Sequence, residues 1–267
     1  MVGLFFRLFV KREIMEMNRS VLTKYIICSL MSLMVFGGMM GVSDASGTSA
    51  NSYSPSGALD KLKSSNVRFS SGQSTHSNIS AERRKQVTTG GQHPFATIIA
   101  CSDSRVPVEI LFDQGVGDIF VIKVAGNVCN TDEIGSVEYG VDHLDTPVMV
   151  VLGHTHCGAC TAVATGAGVH GCISDLIAPI RPALQKVYAA YPDLYGKDLV
   201  PALVEANVWQ AIEDLFQRSS STRRRTNDGR VTVVGAVYNI ETGIVKWMGT
   251  HPEQESLTSD MKYNVWE

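Results

Sequence analysis

The sequence predicts an α/β fold: a mostly parallel central sheet with an antiparallel edge strand, helices on both faces and an N-terminal helical arm. Continuous apolar, β-branched runs occur at 96–101, 118–124 and 147–154, and segments with helical patterning separate them. Uninterrupted apolar strands are typical of parallel sheets that are buried on both faces. Two further strand patterns, at 231–240 and 243–249, follow each other closely and predict the antiparallel edge.

A secretory signal peptide is predicted at 1–45. Basic residues are scattered through its first half, residues 25–42 carry no charge, and small residues follow up to Ala45. This succession predicts cleavage after Ala45 and an exported protein, either periplasmic or secreted, with Met15 or Met17 as alternative starts. An uncleaved membrane anchor is the competing interpretation, because the 18 uncharged residues are at the lower limit of a membrane span.

A Ser-, Gly- and Asn-rich stretch at 46–56 predicts a flexible leader, followed by one domain at 57–267. An amphipathic pattern at 57–71 predicts the helical arm, which we expect to pack away from its own sheet. A second helix is predicted at 80–89, with Ser80 as its N-cap.

Three more helices are predicted among the strands. The first covers about 132–144, the second begins near Cys157, and the third covers 198–217. Helices that alternate with parallel strands bring the carboxyl ends of those strands to one edge of the sheet. Functional sites of open α/β sheets form at that edge.

Charge gives little sign of a polyanionic partner. The net charge is −3, so the chain has no overall positive field to recruit nucleic acid. One group of arginines, between Arg218 and Arg230, predicts a solvated loop. No aromatic residues interleave with these arginines, so a surface that stacks bases is not expected, and we predict no nucleic-acid partner.

Two short motifs follow the ends of two predicted strands: CSDSR, beginning at Cys101, and HTHC, beginning at His154. Cys101, His154 and Cys157 offer two thiolates and an imidazole, a set of ligands that suits Zn²⁺. His156 is a competing ligand, but His154 stands at the strand end and has the three-residue spacing to Cys157. Three protein ligands leave a fourth position open, which is typical of catalytic zinc sites.

Asp103 and Arg105 stand beside the first cysteine ligand. An arginine can hold a carboxylate through two hydrogen bonds and keep it ionised. The carboxylate would then accept a hydrogen bond from water at the metal and orient that water. Alternatively, Asp103 leaves Arg105 and closes the site as a fourth ligand, or the two residues form a surface ion pair of little energetic weight.

The remaining cysteines, Cys129, Cys160 and Cys172, are predicted to be small buried residues. A disulfide between Cys160 and Cys172 is the alternative, because exported compartments favour disulfides.

Together these motifs resemble the β-class carbonic anhydrases, specifically their plant-like branch. The likeness extends from about Leu59 to Gly249 and includes GGQHP at 90–94 and SVEYGVDHL at 136–144. The resemblance implies that Cys101, His154 and Cys157 bind one Zn²⁺ per chain and that Asp103 and Arg105 act in catalysis.

The resemblance also implies a substrate pocket and an assembly. Its substrate-binding residues match Gln92, Phe120, Tyr139 and Gly158. The family's unit is a homodimer, and some members form tetramers. Gln92 and Tyr139 would then contribute to a pocket that two chains share.

The implied activity is that of a lyase: zinc-dependent, reversible hydration of CO₂ to bicarbonate and a proton. Two alternatives stay open from sequence. One is a hydrolase of CS₂ or COS on the same fold, and the other is a zinc-binding protein without catalytic activity. After cleavage of the signal peptide, no association with a membrane is expected.

Overall fold

The computed structural model describes residues 53–259. The predicted signal peptide and the leader up to residue 52 therefore lie outside the described residues. The described chain forms one five-stranded sheet in the order β2-β1-β3-β4-β5. Its strands are β1 (Thr97–Cys101), β2 (Phe120–Val124), β3 (Val148–His154), β4 (Thr232–Tyr238) and β5 (Val245–Gly249). The first four strands are mutually parallel, and β5 pairs antiparallel with β4, which confirms the predicted fold class.

Ten α-helices surround this sheet within residues 53–259. They are α1 (Pro55–Ser70), α2 (Ala81–Gly90), α3 (Val108–Leu111), α4 (Thr131–Glu138), α5 (Gly158–Thr165), α6 (Ile173–Ile177), α7 (Arg181–Ala190), α8 (Val200–Arg218), α9 (Ser220–Asn227) and α10 (Gln254–Thr258). A π-helical turn, Tyr139–His143, extends α4, and a 3₁₀ turn, Ala125–Asn127, follows β2. Every helix in this part of the chain is too short or too polar to cross a membrane.

The core lies on both faces of the sheet, because neighbouring residues of a buried strand point in opposite directions. Ile99 of β1 belongs to the core that α7 and α8 cover. Its neighbour Ile98 belongs to the core that α1 and α3 cover. Both side chains are fully buried. The helices therefore enclose the strands on two sides, as the continuous apolar runs predict.

The position of α1 differs from the expectation. Ala58 and Leu62 are fully buried in the core of the same chain, and the Asn66 amide donates to the carbonyl of Leu111 at 3.1 Å. The predicted apolar stripe of this helix consists of Leu59, Leu62, Val67 and Phe69, and only Val67 is mostly exposed, at 64%. The expectation that this helix packs away from its own sheet is therefore wrong. Ala58 and Asn66, which are not part of the apolar stripe, help to attach the helix to the core of its own chain.

The boundary of the predicted leader is corrected. It ends earlier than residue 56, because Ser54 caps α1 by accepting the N–H of Gly57 and Pro55 begins the helix.

The arginine-rich segment is a helix, α9, rather than a solvated loop. Arg225 of α9 donates to Asp145 at 2.7 Å and pairs with Asp142 at 3.0 Å. Carboxylates far away in the sequence thus stabilise a charge run that appears unpartnered locally.

Candidate metal centre

The sheet brings the two motifs together. Cys101 is the last residue of β1 and His154 is the last residue of β3, and these two strands are parallel neighbours. The chain then turns, and Cys157 becomes the N-cap of α5. Side chains that are about fifty positions apart in sequence therefore meet at the carboxyl edge of the sheet, where α/β proteins form their sites.

The ligand atoms of Cys101, His154 and Cys157 all lie within 4.8 Å of one another. All three side chains are buried, and His154 is fully inaccessible to solvent. Among the residues that the structure describes, no other group of three potential metal ligands is this compact. His154, and not the exposed His156, belongs to the cluster.

The imidazole of His154 is prepared to bind a metal ion. Its Nδ1 lies 2.9 Å from the carbonyl oxygen of Thr155. Because a carbonyl only accepts hydrogen bonds, Nδ1 carries the proton, and Nε2 of the neutral ring keeps a free lone pair. Nε2 is buried and has no hydrogen-bond partner within residues 53–259. A buried nitrogen without a partner is costly, and a metal ion would satisfy it.

In the part of the chain that the structure describes, the two thiols, like Nε2 of His154, lack a positively charged partner. A hydrogen bond to Cys157, together with burial, raises the pKa of Cys101 to about 12. The Cys101 thiol lowers the pKa of Cys157, but contact with Cys160 and burial outweigh this effect and raise it to about 12. Both sulfurs would ionise only beside a strong positive charge. Soft sulfur and imidazole donors are the set that Zn²⁺ prefers, so the residues present fit that ion.

Asp103 and Arg105 form a paired group beside the cluster. Arg105 donates from Nε to Oδ1 at 3.0 Å and from Nη2 to Oδ2 at 2.7 Å. These hydrogen bonds hold the pKa of Asp103 well below its usual range. Arg105 also donates to the carbonyl of His156 at 3.3 Å, which ties the pair to the second motif. Asp103 is not one of the three clustered ligands, and both of its oxygens are held by Arg105 instead.

Gly126 and Asn207 support the cluster, and the sequence analysis missed both. The backbone N–H of Gly126 donates to the sulfur of Cys101 at 3.3 Å. Gly126 has a φ of +76°, and an added Cβ would lie 2.9 Å from the Cβ of Ala159, so a larger residue does not fit. Asn207 of α8 donates to the carbonyl of Gly126 at 2.7 Å. An isolated Gly between β2 and α4 was the only local signal, and nothing local marked Asn207.

The predicted substrate residues occupy different places. Phe120 begins β2 and pairs with Thr97, whereas Cys101 pairs with Val124 at the other end. Phe120 therefore lies about 13 Å along the strand from the cluster of its own chain. Its ring contacts that of Tyr139, with centroids 5.8 Å apart. Within the described chain, these two rings form a pair at the amino-terminal ends of the strands, whereas the cluster lies at the carboxyl ends.

The other two predicted substrate residues are exposed. Gln92 lies in the loop between α2 and β1. Gly158 is the first residue of α5, directly after Cys157, and its Cα faces open space. In sequence, the backbone N–H of Gly158 comes directly after the candidate ligand Cys157.

The remaining cysteines are free thiols throughout the described chain. Cys129 and Cys160 are each 1% exposed, as predicted. Cys172 is exposed, so the expectation that all three are buried is wrong for this residue. The loop that precedes α6 carries Cys172 outside the core, and the alternative disulfide with Cys160 is not formed.

Comparisons with known proteins agree with this geometry. Residues 96–245 match the family described as carbonic anhydrase. The chain is 36% identical to carbonic anhydrase 2 of Mycobacterium tuberculosis over 193 residues, which cover 71% of this chain and 90% of that relative. It is 35% identical to a carbonic anhydrase of Mycolicibacterium smegmatis over 196 residues, 72% of this chain and 92% of the relative.

Among solved structures, the chain is similar to the β-carbonic anhydrase CafA of Aspergillus fumigatus. The two share 27% sequence identity and superpose with a TM-score of 0.59. The match covers 76% of this chain and 94% of the fungal chain.

Proposed function

The chain belongs to the β-class carbonic anhydrases, and from this premise we propose that Cys101, His154 and Cys157 hold one Zn²⁺ per chain. The chain is a carbonic anhydrase, a lyase that reversibly hydrates CO₂ to bicarbonate and a proton. The competing hydrolase of CS₂ or COS and the non-catalytic zinc protein are not favoured, because the matching family and relatives are carbonic anhydrases.

One observation carries the assignment of the metal ligands. Two thiols and an imidazole nitrogen without a partner converge within 4.8 Å in a buried site at the carboxyl edge of the sheet. When bound there, zinc supplies Lewis acidity that makes a hydroxide nucleophile available near neutral pH. The two cysteines provide negative charge, and Thr155 keeps the His154 ring in the tautomer that leaves Nε2 free.

Asp103 has the role of orienting water. Both of its oxygens accept from Arg105, yet each carboxylate oxygen has a second lone pair for another hydrogen bond. Since its pKa is held well below the usual range, this carboxylate is ionised at neutral pH and would accept a hydrogen bond from a nearby water, which orients that water. Arg105 is the positioning residue, because its guanidinium fixes both oxygens and also bonds the turn at His156.

We further propose that the working unit is a homodimer, with tetramers as a possible higher assembly. Phe120 and Tyr139 lie at the amino-terminal ends of the strands, whereas the cluster of their own chain lies at the carboxyl ends. They therefore serve a CO₂ pocket only if another chain supplies the metal residues. Tyr139 is 45% exposed and can contact a second subunit. Gln92 is exposed too and would join this pocket, while Gly158 stays with the cluster of its own chain.

Export is a separate proposal that rests on the sequence of 1–45. A basic segment, an uncharged apolar segment and small residues follow one another there. We propose that the mature chain begins near Ser46 and acts outside the cytoplasm, without membrane association.

Metal analysis followed by an activity assay tests the assignment. We expect one equivalent of zinc per chain in the reduced protein and CO₂ hydration in a stopped-flow assay with a pH indicator. Cys101→Ser should lose most of the zinc and the activity, because one of three ligands is gone. Cys129→Ser is the matched control, since Cys129 is also buried but lies outside the cluster. Full zinc occupancy in Cys101→Ser would refute the ligand set.

A further inference from the structure

Cys160 lies in the first turn of α5, three residues after the proposed ligand Cys157. The four residues read Cys-Gly-Ala-Cys. Side chains three apart on a helix are neighbours, with Cβ atoms about 5–6 Å apart. A C-x-x-C pair at the start of a helix is an arrangement that thiol–disulfide chemistry uses. Cys160 thus has the position of a redox partner, although it is not one of the clustered ligands.

The two side chains are neighbours at the start of the helix, because Cys157 is the N-cap of α5 and Cys160 is the third residue of its first turn. Both residues are 1% exposed, and both are free thiols. A disulfide needs Cβ atoms about 3.5–4.5 Å apart, so the bond requires a small shift of the backbone between Cys157 and the first turn of α5, together with rotation of both side chains.

We propose that Cys157 and Cys160 form a reversible disulfide on exposure to a peroxide, which removes one ligand from the metal site and inactivates the enzyme. A sulfur that is bonded to Cys160 is no longer a thiolate. Only Cys101 and His154 would then remain to hold the ion. The loss of metal and activity rests on the proposed function, whereas formation of the disulfide does not.

The chemistry balances with hydrogen peroxide as the oxidant. The Cys157 sulfur attacks one peroxide oxygen, the O–O bond breaks, and water leaves, so that Cys157 becomes a sulfenic acid. The Cys160 sulfur then attacks the Cys157 sulfur. The S–S bond forms, the S–O bond breaks, and hydroxide leaves as water with the proton of Cys160. In total, two thiols lose two electrons and two protons, and the peroxide becomes two waters.

Cys160 is better placed for the second step than the other cysteines. Cys101 also contacts Cys157, but its sulfur is itself a proposed ligand and accepts the N–H of Gly126. Cys129 faces the charges of Glu133, Asp214 and Arg218. Among the cysteines that the structure describes, Cys160 combines the C-x-x-C spacing to Cys157 with a thiol that is not part of the clustered ligand set.

The test compares the wild type, Cys160→Ala and Cys172→Ser, each purified under reducing conditions and assayed first for zinc. Each protein is then titrated with hydrogen peroxide. Zinc release is followed with a colorimetric chelator, and the products are identified by intact mass and peptide mapping. For the wild type we expect a mass loss of about 2 Da, a linked Cys157–Cys160 peptide and loss of the bound zinc. A dithiol reductant with added zinc should restore the metal and the activity.

Cys160→Ala should lack the linked peptide, and its Cys157 should gain oxygen in a form that the reductant does not reverse. Cys172→Ser should behave as the wild type. The proposal is overturned by a Cys101–Cys157 linkage instead, by wild-type protein that forms no disulfide, or by Cys160→Ala that loses and recovers zinc as the wild type does. If the reduced protein holds no zinc, the metal assignment fails separately, while mass analysis still decides whether the disulfide forms.

Discussion

The side-chain amide of Asn207 donates to the carbonyl oxygen of Gly126 at 2.7 Å, across 81 positions of sequence. Gly126 in turn donates its N–H to the sulfur of Cys101. This relay joins α8 to the proposed metal site through one buried polar contact. The geometry of the Cys101 sulfur therefore depends on a helix that supplies none of the clustered ligands.

Asn207→Ala should weaken both the fold and the metal site. It leaves the Gly126 carbonyl without its buried donor, which costs about 1–3 kcal/mol of unfolding free energy. Zinc should also dissociate faster in a competition with a chelator, because the turn that holds Cys101 loosens. Gln210→Ala is the control, since Gln210 is also buried on α8 but bonds Asp214. Equal zinc dissociation rates in both variants would contradict the relay.

Asp103→Asn should retain zinc but lose CO₂ hydration. The neutral amide is a poorer acceptor for water and no longer pairs with the guanidinium of Arg105, so we expect a loss of about 10–100-fold in kcat/KM. Stopped-flow turnover is measured on protein of known zinc content. Asp60→Asn, which disrupts an exposed pair with Lys63, provides the control. Near-normal turnover of zinc-loaded Asp103→Asn would remove the proposed role.

Asp113→Asn should destabilise the fold in a pH-dependent way. Burial opposes ionisation of Asp113, but hydrogen bonds from Thr75, Arg68 and His76 lower its pKa to about 2. A lowered pKa in the folded state stabilises the protein above the ordinary value of 3.8, and this contribution disappears as the pH falls towards 2. We expect the wild type to be more stable by about 2 kcal/mol at pH 6.

Denaturant unfolding of both proteins between pH 6 and pH 3 measures that difference. The gap should narrow as the pH falls. Asp113 has a φ of +47°, a backbone conformation that Asn also tolerates, so the substitution tests the charge rather than the turn. A gap that stays constant with pH would show that the carboxylate is not stabilised in the folded state.

Mixing two impaired variants tests the shared pocket. Asp103→Asn damages the site that carries the metal residues, and Tyr139→Ala damages the proposed contribution from the partner. If the pocket spans two chains, a hybrid dimer contains one intact site, and subunit exchange should restore about a quarter of wild-type activity. Activity that remains the average of the two parent proteins after confirmed exchange would place the pocket within one chain.

Export predicts a processed N-terminus. Mass spectrometry of the protein isolated from its native host should find a chain that begins at Ser46, because the small residue Ala45 fits a cleavage site. Ala45→Leu is the matched variant, and it should accumulate the uncleaved form. A full-length chain in the membrane fraction would instead support the anchor, and a full-length chain in the cytosol would contradict export.

The sequence by itself determined the sheet, the family and the two motifs of the candidate site. Buried parallel strands require continuous apolar runs, and Cys101 and His154 stand directly at the ends of two such runs. Because parallel strands share a carboxyl edge, this local information was enough to predict that the three proposed ligands meet.

Tertiary structure alone decided what lies around them. The relay from Asn207 to Gly126, the pairing of Arg225 with Asp145 and the burial of Leu62 in its own core each join segments that are distant in sequence. A helical hydrophobic period predicts that a helix has an apolar face, but it does not identify the surface that packs against that face. A lone Asn or Arg likewise has no local signature of its partner. Such contacts depend on how helices pack against the sheet, and packing is a property of the whole folded chain.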